Sequence, residues 1–171
     1  WQLSNRLAWE NTSEGLIALT DGARLIEQSP RILANNNFDT AYTITADIRP
    51  ATALNTGYWI LFSVGDEDAL GAYFQADTLA INEVALYQFP SEQVRTSDAL
   101  NPTNMSIIQR NTLNEALSAQ TQLSVEVNGT VISIMMNSEI LLQISNMTLE
   151  LGAIGVELPA QASLMSISVD T

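Results

Sequence analysis

Three residue types that carry much of enzyme chemistry are missing from this chain of 171 residues: lysine, histidine and cysteine. Without histidine and cysteine there is no Ser-His-Asp triad, no thiol nucleophile and no zinc site of the usual kind. Without lysine there is no Schiff base and no Walker-type phosphate loop. The missing cysteine also excludes a disulfide scaffold. Positive charge is scarce: six arginines (Arg6, Arg24, Arg31, Arg49, Arg95 and Arg110) stand against 19 acids, which leaves −13. Such a balance repels phosphate backbones and anionic lipid heads, so nucleic-acid and membrane-surface partners are not expected. Long hydrophobic runs are lacking too. The longest, Tyr58-Trp59-Ile60-Leu61-Phe62, is far short of the roughly 20 residues that span a bilayer. Carboxylate and hydroxyl chemistry, oxygen-ligated metals and binding without catalysis survive these exclusions.

What is present is uncharged polar sequence. Charged residues make up 15% of the chain, against about 25% in ordinary domains, and Asn, Gln, Ser and Thr fill the difference. With 46% apolar residues this is not a disordered acidic tail. A length of 171 suits one domain, 1–171, that buries roughly 70% of its unfolded surface. The chain starts at Trp1 rather than Met, so a processed chain, or a domain excised from a larger secreted or surface protein, is expected.

Alternation of period two runs through most of it. Tyr42, Ile44, Ala46 and Ile48 share one face of the 41–49 segment, with Thr43, Thr45, Asp47 and Arg49 on the other. The same pattern recurs at 121–128, 131–136, 153–158 and 164–170. In 153–158 it makes Glu157 an outward, solvated residue. Asn128-Gly129 reads as a hairpin turn, Asn137-Ser138 as the next, and Asn35-Asn36-Asn37 as a loop. Pro90 and Pro102 bracket a long loop over 91–104. Segment 57–64 is apolar on both faces, as for a strand covered on both sides or one in the middle of a sheet with a partly apolar outer face. Leu113 and Leu117 suggest one helical turn within 112–120. Many short strands at this spacing predict an all-β antiparallel sandwich or barrel.

The order of segments resembles the concanavalin A-like, laminin-G-like lectin/glucanase jelly-roll superfamily. The resemblance rests on Phe38-Asp39-Thr40-Ala41-Tyr42 leading into Ile48-Arg49, on Asn55-Thr56-Gly57-Tyr58-Trp59, and on the Leu123 to Asn137 hairpin. Gly152-Ala153-Ile154-Gly155-Val156 and the closing Ile167-Ser168-Val169 complete it. It covers nearly the whole chain and implies a two-sheet jelly-roll sandwich. The superfamily includes both 3-keto-glycoside hydrolase-like domains and non-catalytic lectin-like modules, so the resemblance implies no single activity. The E-x-D-x-x-E strand of its glucanases is absent from this sequence.

Candidate site residues follow from side-chain chemistry. Aromatic rings stack on the apolar faces of sugars, which singles out Trp59, on the face opposite Tyr58 and Phe62, together with Tyr73 and Tyr87. Outward-facing Asp47, Glu126 and Glu157 could line one sheet, although each reads first as a solvated strand residue, and Arg49, in an outward row with Asp47, could grip a carboxylate or a hydroxyl pair. The turn Gly65-Asp66-Glu67-Asp68 is the densest acidic cluster. With Asp66 and Asp68 as ligands it is a candidate calcium site, a habit of laminin-G-like domains at a loop edge. Trp1 and Trp9 should pack over an end of the sandwich. Sequons at Asn11, Asn104, Asn128 and Asn146 matter only in a host that glycosylates asparagine.

The reading that emerges is a non-catalytic extracellular or cell-surface module that binds carbohydrate or a surface polymer. Two rivals stand beside it. One is a self-assembling surface protein, a filament subunit or adhesin, donating its segment 1–11 to a neighbour's sheet edge. The other is a glycoside hydrolase-like enzyme using Asp47, Arg49 or Glu126.

Overall fold

Alternating sequence buries one face of a strand and wets the other, so each such segment needs a partner layer. In the computed structural model, which describes residues 1–3, 6–27, 41–53, 55–77, 80–96, 98–149 and 152–170, the segments supply that layer to one another. Two antiparallel seven-stranded sheets form among the described residues. Sheet A runs β1 (Gln2–Leu3), β4 (Ala23–Glu27), β13 (Ala153–Leu158), β6 (Thr56–Val64), β7 (Asp68–Asp77), β8 (Ala80–Pro90), β9 (Ser106–Ala116). Sheet B runs β12 (Glu139–Ile144), β11 (Val131–Met136), β10 (Thr121–Asn128), β5 (Ala41–Arg49), β14 (Ser163–Asp170), β3 (Gly15–Ala18), β2 (Trp9–Thr12). The Asn35–Asn37 loop and the Phe38–Thr40 part of the quoted motif lie outside the described residues.

The core sits between the sheets. Ile44, Ala46 and Ile48 of β5 and Leu123, Val125 and Val127 of β10 face Tyr58, Ile60 and Phe62 of β6 and Ile154, Val156 and Leu158 of β13. Two tyrosines bring polar atoms into this layer, and both find partners, as buried polar groups must. The Tyr42 hydroxyl donates to the Phe62 carbonyl at 2.8 Å, tying β5 of one sheet to β6 of the other. The Tyr58 hydroxyl accepts from the Ala51 amide at 2.9 Å. Trp9 is buried in this core, whereas Trp1 is 42% exposed at the chain start, its amino group paired with Glu27 at 2.7 Å.

β6 is apolar on both faces for a physical reason. Beyond the main core, Trp59 and Leu61 belong to a second apolar cluster on the outer face of sheet A. The segment between β8 and β9 covers it, through Val94 and Leu100. That segment carries one short helix, α1 (Glu92–Arg95), and a 3-10 turn at Pro102–Asn104, in line with the loop expected there.

Three expectations need correction. No helical turn forms over 112–120: residues 112–116 are the end of strand β9, and 117–120 lead into β10. This edge strand is largely exposed, so its alternation is faint, and pairing with β8 overrides the local Leu113/Leu117 spacing. Glu157 is not solvated: it is 3% exposed, under the segment between β8 and β9. The β10–β11 hairpin exists, but Asn128 already pairs with Val131, so the loop is Gly129-Thr130. Gly129 alone takes positive φ, at 61°, as a II′ turn requires of its first central residue. Within segment 1–11, β1 pairs with β4 and β2 with β3 of the same chain.

The β11–β12 turn places Asn137 (φ 50°) and Ser138 (φ 68°) both in the left-handed region, the signature of a I′ turn. Asn137 suits it, and its side-chain oxygen accepts from the Gln122 amide at 2.9 Å. Serine gains nothing there, and a Cβ in this conformation costs about 1 kcal/mol. Ser138→Gly should therefore raise stability by roughly 0.5–1 kcal/mol in urea unfolding; a decrease would contradict the turn assignment.

Candidate functional site

The pairing register of sheet A lines up an unusual set of side chains. Arg24 lies opposite Glu157, Glu157 opposite Trp59, Trp59 opposite Tyr73, Tyr73 opposite Ala85, and Ala85 opposite Arg110. Inner positions alternate with these, so the row runs across six strands on the outer face of the sheet.

At one end of the row, Arg24 is fully buried. Its Nε donates to Glu157 Oε2. Its Nη1 donates to the Val94 and Thr96 carbonyls at 3.3 and 2.5 Å, and its Nη2 to the Asp98 carbonyl. Glu157 Oε1 accepts from the Leu100 amide at 2.9 Å. The pair thus fastens the segment between β8 and β9 onto the sheet like a strap. Burial pushes the Glu157 carboxyl up, the Arg24 guanidinium and the Leu100 amide oppose that rise, and the Asp21 charge adds to it.

The middle of the row is aromatic. Trp59 lies 4.6 Å from Tyr73, 5.5 Å from Tyr87 and 5.8 Å from Phe89 between ring centroids, and Tyr73 and Tyr87 meet edge to face at 6.0 Å. Such pairs are worth about 0.5–1.5 kcal/mol each beyond area burial. Glycines make room for the rings. A Cβ on Gly57 would sit 2.3 Å from the Tyr73 ring, so that ring lies directly on the backbone of β6.

Beside Tyr73 a cleft of about 330 Å³ opens. Gly57, Trp59, Tyr73 and Glu157 line it, as do Asp21, Asn55, Leu100 and Gln161 from the surrounding loops and the strap. Trp59 is 2% exposed and backs the cleft, while Tyr73 is half-buried and presents its ring. Asn55 (φ 53°) and Gln161 (φ 70°) hold left-handed backbone conformations in its lining. Strain of this kind persists where the surrounding structure enforces it and clusters at binding sites.

Of the residues expected from sequence, Trp59 and Tyr73 meet here and Tyr87 lies behind them. Asp47, Arg49 and Glu126 do not join them, because they occupy the outer face of sheet B, on the opposite side of the sandwich. Asp47 accepts from Gln122 Nε2 at 3.1 Å and from Ser166 Oγ at 2.5 Å. Arg49 pairs with Glu14. Glu126 lies opposite Thr43, four residues along β5 from Asp47, a separation of about 13 Å. Paired glycosidase carboxylates stand roughly 5–9.5 Å apart, so these two do not form such a pair.

At the acidic turn, the Asp66 carbonyl accepts from Ser91 Oγ at 2.8 Å, the Glu67 carbonyl from the Ser91 amide at 2.8 Å, and Asp68 Oδ2 from Gln88 Nε2 at 3.0 Å. These groups serve the turn and its contact with the strap. Among the described residues no three acidic side chains come together as a metal-binding group.

Arg24, Asp21 and Gln161 were missed by sequence reasoning, and Glu157 was misplaced. The alternation of β13 does put Glu157 on the outer face; what covers it is Leu100, 57 residues away in the chain.

No protein-family model matches the chain, and neither does any curated protein sequence. Solved structures do match. The carbohydrate binding module CBM66 from Bacillus subtilis superposes with a TM-score of 0.65 at 15% identity, over 100% of this chain and 95% of that one. The carbohydrate recognition domain of Emp46p, in a potassium-bound form, gives 0.63 at 10% identity over 99% and 87%. A Caenorhabditis elegans galectin, LEC-6, gives 0.53 at 15% identity over 88% and 91%. The fold is a concanavalin A-like jelly roll. At these identities the likeness speaks to architecture, and the outer-face row of this jelly roll must be judged on its own chemistry.

Two outcomes follow from that row. Glu157→Gln leaves the Arg24 charge buried without its anion, so it should cost roughly 3–5 kcal/mol in denaturant unfolding and red-shift Trp59 emission. A loss below about 1 kcal/mol would show that the pair does not hold the strap. The second outcome concerns alkaline pH. Burial first, then the charges of Tyr87, Glu83 and Glu157, push the Tyr73 hydroxyl from its ordinary 10.0 up to about 12. A group raised on folding stabilises fully below its unfolded value, and that share is lost as pH rises through its folded value. Stability should thus fall between pH 10 and about 12, and Tyr73→Phe should flatten this part of the thermal-melt profile. An identical slope in the variant would refute the assignment.

Proposed function

We propose that this jelly roll is a non-catalytic carbohydrate-binding module of an extracellular or cell-surface protein, and that the cleft beside Tyr73 holds its ligand. The observation that carries the reading is the Tyr73 ring, laid on Gly57 and half-buried beside polar groups of Asn55, Gln161 and Glu157. A sugar offers an apolar C–H face and a rim of hydroxyls, and this cleft offers a ring for the first and acceptors for the second. Its volume sits at the lower end of the roughly 300–1,000 Å³ typical of small-ligand sites. The strap, fixed by Arg24, keeps one wall in place before any ligand arrives, which lowers the ordering cost of binding. Structures similar in fold carry carbohydrate-binding names, which favours the same ligand class. The separation of Asp47 from Glu126, and the hydrogen bonds that engage Asp47, count against hydrolysis on the outer face of sheet B.

The test is a broad glycan panel with wild type and two variants. Tyr73→Ala should weaken binding tenfold or more, taking a ring–sugar stack as worth about 1–3 kcal/mol. Asp47→Ala, on the other sheet, should bind like wild type. The reverse pattern would move the site to the outer face of sheet B. Failure of the wild type to bind any glycan would remove the carbohydrate reading altogether.

A further inference from the structure

The cleft also has a charge pattern that bears on which saccharides it can hold, an inference that rests on the carbohydrate reading. Among the described residues that line it, the charged ones are Asp21 and Glu157, both acids. No arginine is among those described lining residues, and the nearest one in the row, Arg24, is fully buried with its guanidinium engaged by Glu157 and three strap carbonyls. The Arg24–Glu157 pair balances its own charge, so Asp21 is the net charge that the cleft presents. Whatever enters meets oxygen acceptors.

Those acceptors have capacity left. A carboxylate has about four lone-pair directions. Glu157 uses one on Arg24 Nε and one on the Leu100 amide. Asp21 Oδ1 accepts from the Ala160 amide at 2.9 Å, and its carboxylate is otherwise exposed. Sugar hydroxyls are donors that suit such groups. A carboxylate, sulfate or phosphate on the ligand would instead be desolvated against like charge, which a partly enclosed site punishes more than water does.

We propose that the cleft selects saccharides that carry no anionic group, with ligand hydroxyls donating to the carboxylates of Glu157 and Asp21. Arg24 is a positioning residue: it fixes the Glu157 carboxylate and the strap wall and does not touch the ligand.

The test pairs neutral polysaccharides (dextran, levan, xylan, laminarin and galactan) with their sulfated derivatives in affinity electrophoresis and calorimetry. It is run at about 0.15 M salt, where a screening length near 8 Å mutes the overall charge of the protein and leaves local charge visible. The neutral member of at least one pair should bind roughly tenfold or more tightly than its sulfated form. Asp21→Asn keeps the Oδ1 acceptor for Ala160 and should narrow that gap roughly threefold. Glu139→Gln removes the same formal charge from an exposed position on β12 and should leave the gap unchanged. Equal or tighter binding of the sulfated forms overturns this inference while the carbohydrate reading stands. Equal effects of the Asp21 and Glu139 variants also overturn it, since selectivity would then come from overall charge. Absence of binding to both members of every pair overturns the carbohydrate reading, and this inference with it.

Discussion

The outer face of sheet A depends on one interaction, the buried contact between the Arg24 guanidinium and the Glu157 carboxylate. Either charge alone would be costly to bury. Together they are tolerated because each also serves the backbone of the strap: Arg24 donates to three carbonyls and Glu157 accepts from the Leu100 amide. The strap in turn covers Trp59, Leu61 and Phe89, an apolar patch that would otherwise face water. It also supplies one wall of the cleft, through Ala99 and Leu100. Local order, aromatic packing and the shape of the candidate site are thus coupled through one ion pair.

The two outer faces of the sandwich do different things. On sheet B the alternation is hydrophobic inside and hydroxyl, amide or carboxylate outside, with Asp47 bridged to Gln122 and Ser166 on the flanking strands. Cross-strand pairs of this type stabilise a wet sheet face. Sheet A turns apolar residues both ways in β6 and needs a second cover. The cleft forms where that cover stops, at the edge of the strap, which is where a half-buried tyrosine and polar lining residues meet.

Much of the architecture was legible in the residues. Period-two alternation located β5, β10, β11, β13 and β14, because one buried face imposes it. The two-sided apolar character of β6 left two options, a second cover or a partly apolar outer face, and the strap decides for the cover. Turn chemistry located both late hairpins, although the first loop is Gly129-Thr130, one residue on from the Asn-Gly pair that marked it. Strand β9 was not legible. An exposed edge strand has no buried face to write a pattern, and its extended form comes from pairing with β8.

The candidate site was legible only in part. Trp59 and Tyr73 stand out as aromatics on the outward positions of their strands, and that much follows from alternation. Alternation says which side of its own sheet a residue faces and nothing about which sheet it joins. Asp47, Arg49 and Glu126 were therefore legible as outward residues but not assigned to a sheet, and they lie across the sandwich from Trp59. The sequence by itself determined the strand pattern, the acidic balance and the residue chemistry on offer, because these are local properties. Tertiary structure decided that Glu157 is buried, that Arg24 holds it, and that Asp21 and Gln161 converge on Tyr73. Those outcomes depend on contacts between segments far apart in the chain, and no local period encodes them.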